Sequence, residues 1–418
     1  VNPALRRAVL GTAIVCLSRP ALAAEPPPPC EVALSRETLV PCVLARSPAL
    51  REELASQRAA GARREAATPV LPANPVLGGT LSSRSTAAQQ ALNWSLTLAQ
   101  ELEVAGQRGL RLDVAEAELR AQGWRVAVAR AAVAEEAWTA YFHALAARDR
   151  EALATRLAAA VAGVAATARG MASTGLASEL EADLADAAAT RVVAELVDSR
   201  TQVAVTRARL AALAGGPVMV EGPLEPLASA ASVAQATALR GELLVLESLR
   251  GAVQGRVDLV RRTRVPNPTV SLFAQRDGFN EQVLGGGLSF PIPLPQPVGR
   301  TLAGELLEAE ALAERLEAEL ERVRRELEAE RAIAAAQYDD GLARLALYTP
   351  ERLDRATRRL DAIGFQLQAA RLPVREALVA QQALIEQLRA GLDAREALCL
   401  ASVRLTRAAG LALEGDAP

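Results

Sequence analysis

The chain has 418 residues, of which 50% are hydrophobic, 23% charged and only 3% aromatic, and its formal net charge is -2. That balance offers no basic footprint for nucleic acid and no acidic tail, and so few aromatics argue for closely packed helices rather than one bulky core. Every basic side chain is arginine, a bias that GC-rich codon usage explains without a ligand.

At the N-terminus Arg6 and Arg7 precede the apolar run Ala8 to Leu17, and Ala21 and Ala23 form an A-x-A site. This is the order of a secretory signal peptide, so residues 1–24 are expected to be removed and the rest exported. No later run reaches the roughly eighteen apolar residues that a transmembrane helix needs. In an oxidising compartment Cys30 and Cys42 either pair or stay as buried thiols, and Cys399 remains single. Neither Cys16 nor Cys30 sits in a lipidation context. The N-terminal segment, 25–70, predicts a helix over 34–67 interrupted by Pro41 and Pro48.

A long internal repeat follows. "PANPVLGGTL", Pro72 to Leu81, resembles "VPNPTVSLFA", Val265 to Ala274, so that Asn74 matches Asn267 and Leu81 matches Ala274. Further on, Leu96 to Arg108 matches Leu288 to Arg300. Each half reads as two short strands, a long helix, a turn and a second helix. In the first half Leu92, Trp94, Leu96 and Leu98 point one way and Asn93, Ser95 and Thr97 the other, which is strand alternation. In the second half Leu284, Leu288, Phe290, Ile292 and Leu294 share one face. The partner runs, near 76–83 and 269–275, alternate less clearly. Prolines at 291, 293, 295 and 297 donate no ladder hydrogen bond and mark where pairing stops.

The helices have another period. Leu306, Ala309, Ala313, Leu316, Leu320, Val323 and Leu327 step by three and four, as do Leu112, Ala115, Leu119, Gln122, Val126, Ala129 and Val133. A sustained period of this kind is a coiled-coil seam. One helix over 110–172 would be about 90 Å long and one over 300–370 about 105 Å, the latter interrupted at Pro350. Turns at 173–175 and 370–373 return the chain in helices ending near Gly215 and Gly410. The organisation is then a first repeat over 71–216, an equatorial connector with a helix (about 235–262) over 217–262, a second repeat over 263–414 and a tail, 415–418.

Four strands cannot close a barrel, and an open edge is not tolerated in lipid. Three chains would pool twelve, an even number as membrane barrels require, with the apolar face toward outer-membrane lipid and the Ser, Thr, Asn and Gly face toward a wet lumen. The two strand-strand-helix-helix repeats, the Asn-Pro openings and "GGGLSFPIPL…GR" resemble the TolC family of outer-membrane efflux channels. "GLASELEADLADA" (Gly175 to Ala187) and "REALVAQQALIEQ" (Arg375 to Gln387) are similar to the family's paired second-helix segments, and "SFPIPL" to its CzcC-like heavy-metal branch. The resemblance covers about 34–413. It implies a mainly α fold of long antiparallel coiled-coil hairpins, a homotrimeric 12-stranded β-barrel continued by an α-barrel, and docking to a periplasmic adaptor and an inner-membrane pump. A passive export duct for heavy-metal cations or small toxic molecules is the function implied.

Family channels close at the helix tips, which directs attention to Glu179, Asp183 and Asp186. These step along one helical face and, repeated by symmetry, would make acidic rings at a constriction; the plainer reading is a solvated charge stripe. The matching positions in the second half, Arg375, Val379 and Gln382, are not acidic. Ser173, Thr174, Gly175 and Leu176, with Ala370, Arg371, Leu372 and Pro373, are the expected adaptor contacts. His143, the one histidine, follows Trp138, Tyr141 and Phe142 and reads as a packed or surface residue. No metal-ligand spacing, phosphate loop or catalytic constellation is present, so neither cofactor nor enzyme is expected. The rival readings are a soluble periplasmic coiled-coil bundle, whose strand faces need not segregate, and an adaptor, which carries one hairpin between β-rich flanks.

Overall fold

In the computed structural model the described residues are 30, 33–85, 90–227, 233, 240–276, 281–294, 298–299, 301–369 and 371–413. Residues 1–24, expected to be an export signal, residues 86–89 and 277–280, and Ala370 lie outside them. The chain begins with β1 (Ala33–Leu34), α1 (Leu39–Arg46) and α2 (Pro48–Ala66). Helix α1 runs through Pro41 instead of being interrupted by it, because Pro41 occupies the first turn, where a backbone N–H has no helical partner to lose. Pro48 does mark a boundary: Ser47 caps α2, accepting the Leu50 N–H at 3.2 Å. Nor is residue 34 helical, since β1 pairs in parallel with β4 (Met219–Val220). Cys30 and Cys42 form a disulfide with Cα atoms 5.5 Å apart, which ties the start of the described chain to α1.

The first repeat supplies β2 (Val76–Ser85), β3 (Gln90–Glu101), α3 (Gln107–Ser173) and α4 (Glu179–Ala214). The connector contributes β4 and α5 (Gly241–Thr263). The second repeat gives β5 (Thr269–Arg276), β6 (Gln282–Ser289), α6 (Ala303–Ala346), α7 (Pro350–Gln368) and α8 (Val374–Ala408). At 67 residues, α3 is about 100 Å long. Its counterpart is split into α6 and α7 where expected: the Thr349 side chain caps α7 and Pro350 takes its first position.

Three packing regions order this long body. Near the middle, Trp138, Tyr141 and Phe142 of α3 are fully buried among Leu34, Leu39, Val43, Leu210, Cys399 and Val403. Trp138 donates its indole N–H to the Leu413 carbonyl at 2.8 Å, and Tyr141 donates to the Glu221 carbonyl. The Arg36 guanidinium lies 5.8 Å from the Trp138 ring centroid. These three aromatics sit where the N-terminal segment, the connector and both repeats converge. Toward the tips, α3, α4, α7 and α8 bury Leu157, Val161, Val164, Val192, Leu360, Ile363, Leu367 and Ile385 together. Toward the sheet, α5 packs on α6 through Leu246, Leu316 and Leu320. Two of these, Leu316 and Leu320, belong to the seam read from the period.

Candidate channel wall and helical tips

The four long strands form one antiparallel sheet in the order β2-β3-β5-β6. Both hairpins are local, and the register between them decides which side chains share a face. Leu77 stands opposite Leu98, Leu81 opposite Trp94, Leu96 opposite Ala274, Leu98 opposite Leu272 and Leu288 opposite Val270. One face therefore gathers Leu77, Leu81, Leu92, Trp94, Leu96, Leu98, Val270, Leu272, Leu284 and Leu288. The other gathers Thr80, Ser82, Asn93, Ser95, Thr97, Ser271, Gln275, Gly285 and Gly287, with Thr80 and Ser95 hydroxyls 2.6 Å apart. The first strands, whose alternation is weak in sequence, are placed in register by their neighbours.

Exposure is the reverse of a water-soluble sheet. Along β3 the apolar side chains are the exposed ones and the polar ones are half-buried; Leu81 is 71% and Leu284 85% exposed. Among the described residues no helix covers the leucine face. Burying such a face is favourable by about 25 cal/mol per Å², and only an apolar surrounding or another apolar surface can supply that.

Of the residues expected on the apolar strand face, Leu92, Trp94, Leu96, Leu98, Leu284 and Leu288 are there. Phe290 and Ile292 are not strand residues: β6 ends at Ser289, because Pro291 and Pro293 have no N–H to extend the ladder. Both stay exposed, Ile292 at 80%. The joint between sheet and helices is fixed by the repeated Asn-Pro element. Asn267 donates from Nδ2 to Glu101 Oε1 at 2.8 Å and accepts from Gln107 Nε2 at 3.0 Å.

At the far end, α3 stops at Ser173. Thr174 is the C-cap, and Gly175, with φ of 75°, takes the left-handed turn. The Leu176 N–H returns to the Met171 carbonyl at 2.8 Å, leaving the Leu176 side chain 71% exposed. Helix α4 then opens with a capping box. Glu181 N–H donates to Ser178 Oγ at 3.2 Å and Ser178 N–H to Glu181 Oε2 at 2.9 Å. The hydrogen bonds from Ser178 hold the Glu181 carboxyl below the usual range. The S-x-x-E spacing from Ser178 to Glu181 is the sequence signature of this box. In the second tip Arg371, Leu372 and Pro373 precede α8, with Pro373 as its N-cap.

Of the three acids, Glu179 and Asp183 are exposed. Asp186 is half-buried and paired with Arg169 of α3, at 3.3 Å. None of the three lines the groove of about 720 Å³ between α4 and α8; Leu180, Glu181, Leu184, Arg375, Val379 and Gln382 do. Thus the non-acidic second-half counterparts face α4, while the acids lie on a different side of their own helix. Higher up, α3 and α8 are bridged by polar groups. Glu396 Oε1 lies 2.7 Å from His143 Nδ1, and Arg150 reaches both Glu396 and Asp393, the latter at 2.7 Å. Burial works against the Glu396 charge, but the His143 hydrogen bond and the Arg150 guanidinium outweigh it and hold the carboxyl below its ordinary value. Among the described residues no cluster of His, Cys, Asp and Glu is arranged to hold a metal ion.

A family model described as outer membrane efflux protein matches residues 39–216, from α1 to the end of the first hairpin. The chain is 28% identical over 291 residues to the nickel-cobalt-cadmium resistance protein NccC of Alcaligenes xylosoxydans xylosoxydans, covering 68% of this chain and 65% of that protein. It is also 28% identical over 259 residues to the nickel and cobalt resistance protein CnrC of Cupriavidus metallidurans, covering 60% and 62%. The chain thus spans a little under two thirds of the length of the curated relatives it matches. Among solved structures it is similar to CusC, with a TM-score of 0.74 at 16% identity over 92% of this chain and 94% of that one. VceC from Vibrio cholerae gives 0.73 at 18%, covering 90% and 96%. The fold is therefore shared along nearly the whole chain, and over residues 39–216 the sequence matches the outer membrane efflux protein family.

Proposed function

We propose that this chain is the outer-membrane duct of a tripartite export system, with three copies pooling their strands into one barrel. The observation that carries this reading is the exposed leucine face of a four-stranded sheet with two unpaired edges, β2 and β6. In lipid both features demand closure. Because the strands alternate in direction, β6 of one copy meets β2 of the next in antiparallel order. The repeat supports a specific register. Leu98 pairs with Leu272 inside the chain, and their repeat counterparts are Leu288, which pairs with Val270 as Leu98 does with Leu77, and Gly79. Leu288 of one copy then faces Gly79 of its neighbour, which keeps both on the leucine face.

The long helices continue the barrel into the periplasm as a helical tube, and residues 1–24 act as the export signal. The cargo is a divalent heavy-metal cation. The support for this is that both curated relatives are named for resistance to nickel and cobalt, one also to cadmium. A duct needs no tight ligand set, since conduction requires weak sites. The tips, Ser173 to Leu176 and Ala370 to Pro373, meet a periplasmic adaptor coupled to an inner-membrane pump. Glu179 and Asp183 give the tip its free negative charge and attract cations to the constriction.

Membrane fractionation followed by light scattering of the detergent-extracted protein tests the reading. A particle of three chains from the outer membrane supports it, and metal sensitivity of a deletion strain then identifies the cargo. A monomer in the soluble periplasmic fraction overturns it in favour of a soluble helical bundle.

A further inference from the structure

Among the described residues one aromatic side chain stands on the polar face of the sheet. Phe273 of β5 faces the same side as Ser271 and Gln275 and is half-buried there. An unsupported phenyl ring at that position would stand roughly perpendicular to the sheet, and thus into the lumen of a closed barrel. Its direct cross-strand partner is Gly285, and the ring leans across that glycine. A Cβ built on Gly285 would lie 2.9 Å from Cε1 and 3.0 Å from Cε2 of Phe273, and closer still to Cζ. No carbon approaches that near without displacement, so the ring occupies the space a side chain at 285 would need. Gly286, on the opposite face, differs. A Cβ there meets only ordinary contacts, the Ser271 carbonyl oxygen at 3.6 Å and Leu272 Cδ2 at 3.7 Å. Neither glycine has the left-handed backbone that would itself require glycine.

Resting on the duct reading, we infer that Gly285 is a bore-setting residue: its missing side chain lets Phe273 lie against the barrel wall and keeps the lumen open at that level. The glycine at 285 is thus explained by the ring opposite it, as an aromatic covering a strand glycine. Three copies would place three such rings around one level of the barrel. A methyl group at 285 has two outcomes available to it. Either the ring turns up into the lumen, or the hairpin separates locally.

Single-channel conductance of the full-length protein in planar bilayers, with melting of the detergent-extracted oligomer, tests this in four variants. Gly285→Ala is expected to lower the conductance and to lower the melting temperature by about 2–4 °C. Phe273→Ala in the Gly285→Ala background is expected to recover both. Gly286→Ala controls for the general effect of removing a strand glycine, and Phe273→Ala alone should conduct at least as well as the native protein. If Gly285→Ala matches Gly286→Ala, or if the double variant stays as low as Gly285→Ala, the inference is overturned while the duct stands. If the native protein forms no channel, the duct reading fails and takes the inference with it.

Discussion

Asn267 and Glu101 join the two halves of the molecule at the level where sheet becomes helix: the amide of the second half donates to the carboxylate of the first at 2.8 Å. The same Asn267 accepts from Gln107, the first residue of α3. One amide thus orients the strand end and the helix start together. Asn267→Ala should remove both bonds and destabilise the fold by about 1–2 kcal/mol. Thermal melting of the purified protein checks this, and an unchanged midpoint would show that the junction is held by the Leu102 N–H to Pro268 carbonyl bond instead.

The two faces of β3 should respond oppositely to charge. Leu96→Arg places a guanidinium on the exposed leucine face, at an expected cost of about 2–4 kcal/mol if that face meets the middle of a bilayer. Thr97→Arg, one residue on, points into the polar side and should be tolerated. Counting assembled oligomer in outer-membrane extracts separates the two, and equal yields would contradict a lipid-facing leucine surface.

The register carried over from the repeat is open to cross-linking. With Gly79→Cys and Leu288→Cys in one chain, oxidation should link neighbouring copies into a covalent ladder on a denaturing gel. Moving the second cysteine to Gly287 puts it on the other face and should abolish the link.

At the tip, the acids should act unequally. Glu179→Gln with Asp183→Asn removes charge that no ion pair compensates, and the reversal potential in a salt gradient should shift toward anions. Asp186→Asn should shift it less, because Asp186 is already paired with Arg169. If Asp186→Asn has the largest effect, the Arg169 pair does not persist in the assembled channel.

Acid should weaken the α3–α8 bridge. The Glu396 carboxyl is held below its ordinary value of 4.5, so its contribution to stability is fully present above that value. It is lost as the pH falls through the depressed folded value. Glu396→Gln should therefore flatten the decline of melting temperature between about pH 6 and pH 3. A slope identical to that of the native protein would assign the acid sensitivity elsewhere, for example to Glu242, also held low, with burial opposing and Arg240 favouring its charge.

Much of this architecture is legible in the sequence. Period-two alternation is clean in Leu92 to Leu98 because each of those side chains meets a single environment. The heptad steps of α6 are equally plain, and Pro350 announces its break. Other features depend on partners far away in the chain. The faces of Leu77 and Leu81 follow from pairing with β3, not from their own alternation. Pro41 reads as a breaker in sequence, yet its place in the first turn of α1 makes it compatible with the helix. The pairing of Asp186 with Arg169 joins two helices whose relative rotation no local pattern encodes. Likewise Gly285 has meaning only beside Phe273, which stands on another strand.

The central contact between β3 and β5 has a kinetic consequence. It joins two hairpins encoded in one polypeptide, so it forms at a rate independent of protein concentration. In a ring of six hairpins, half of the junctions would already be closed within each chain before any collision between chains. In such a ring an internal repeat would convert a six-body encounter into a three-body one, and would leave each newly folded chain with a finished example of the joint to be made with its neighbours.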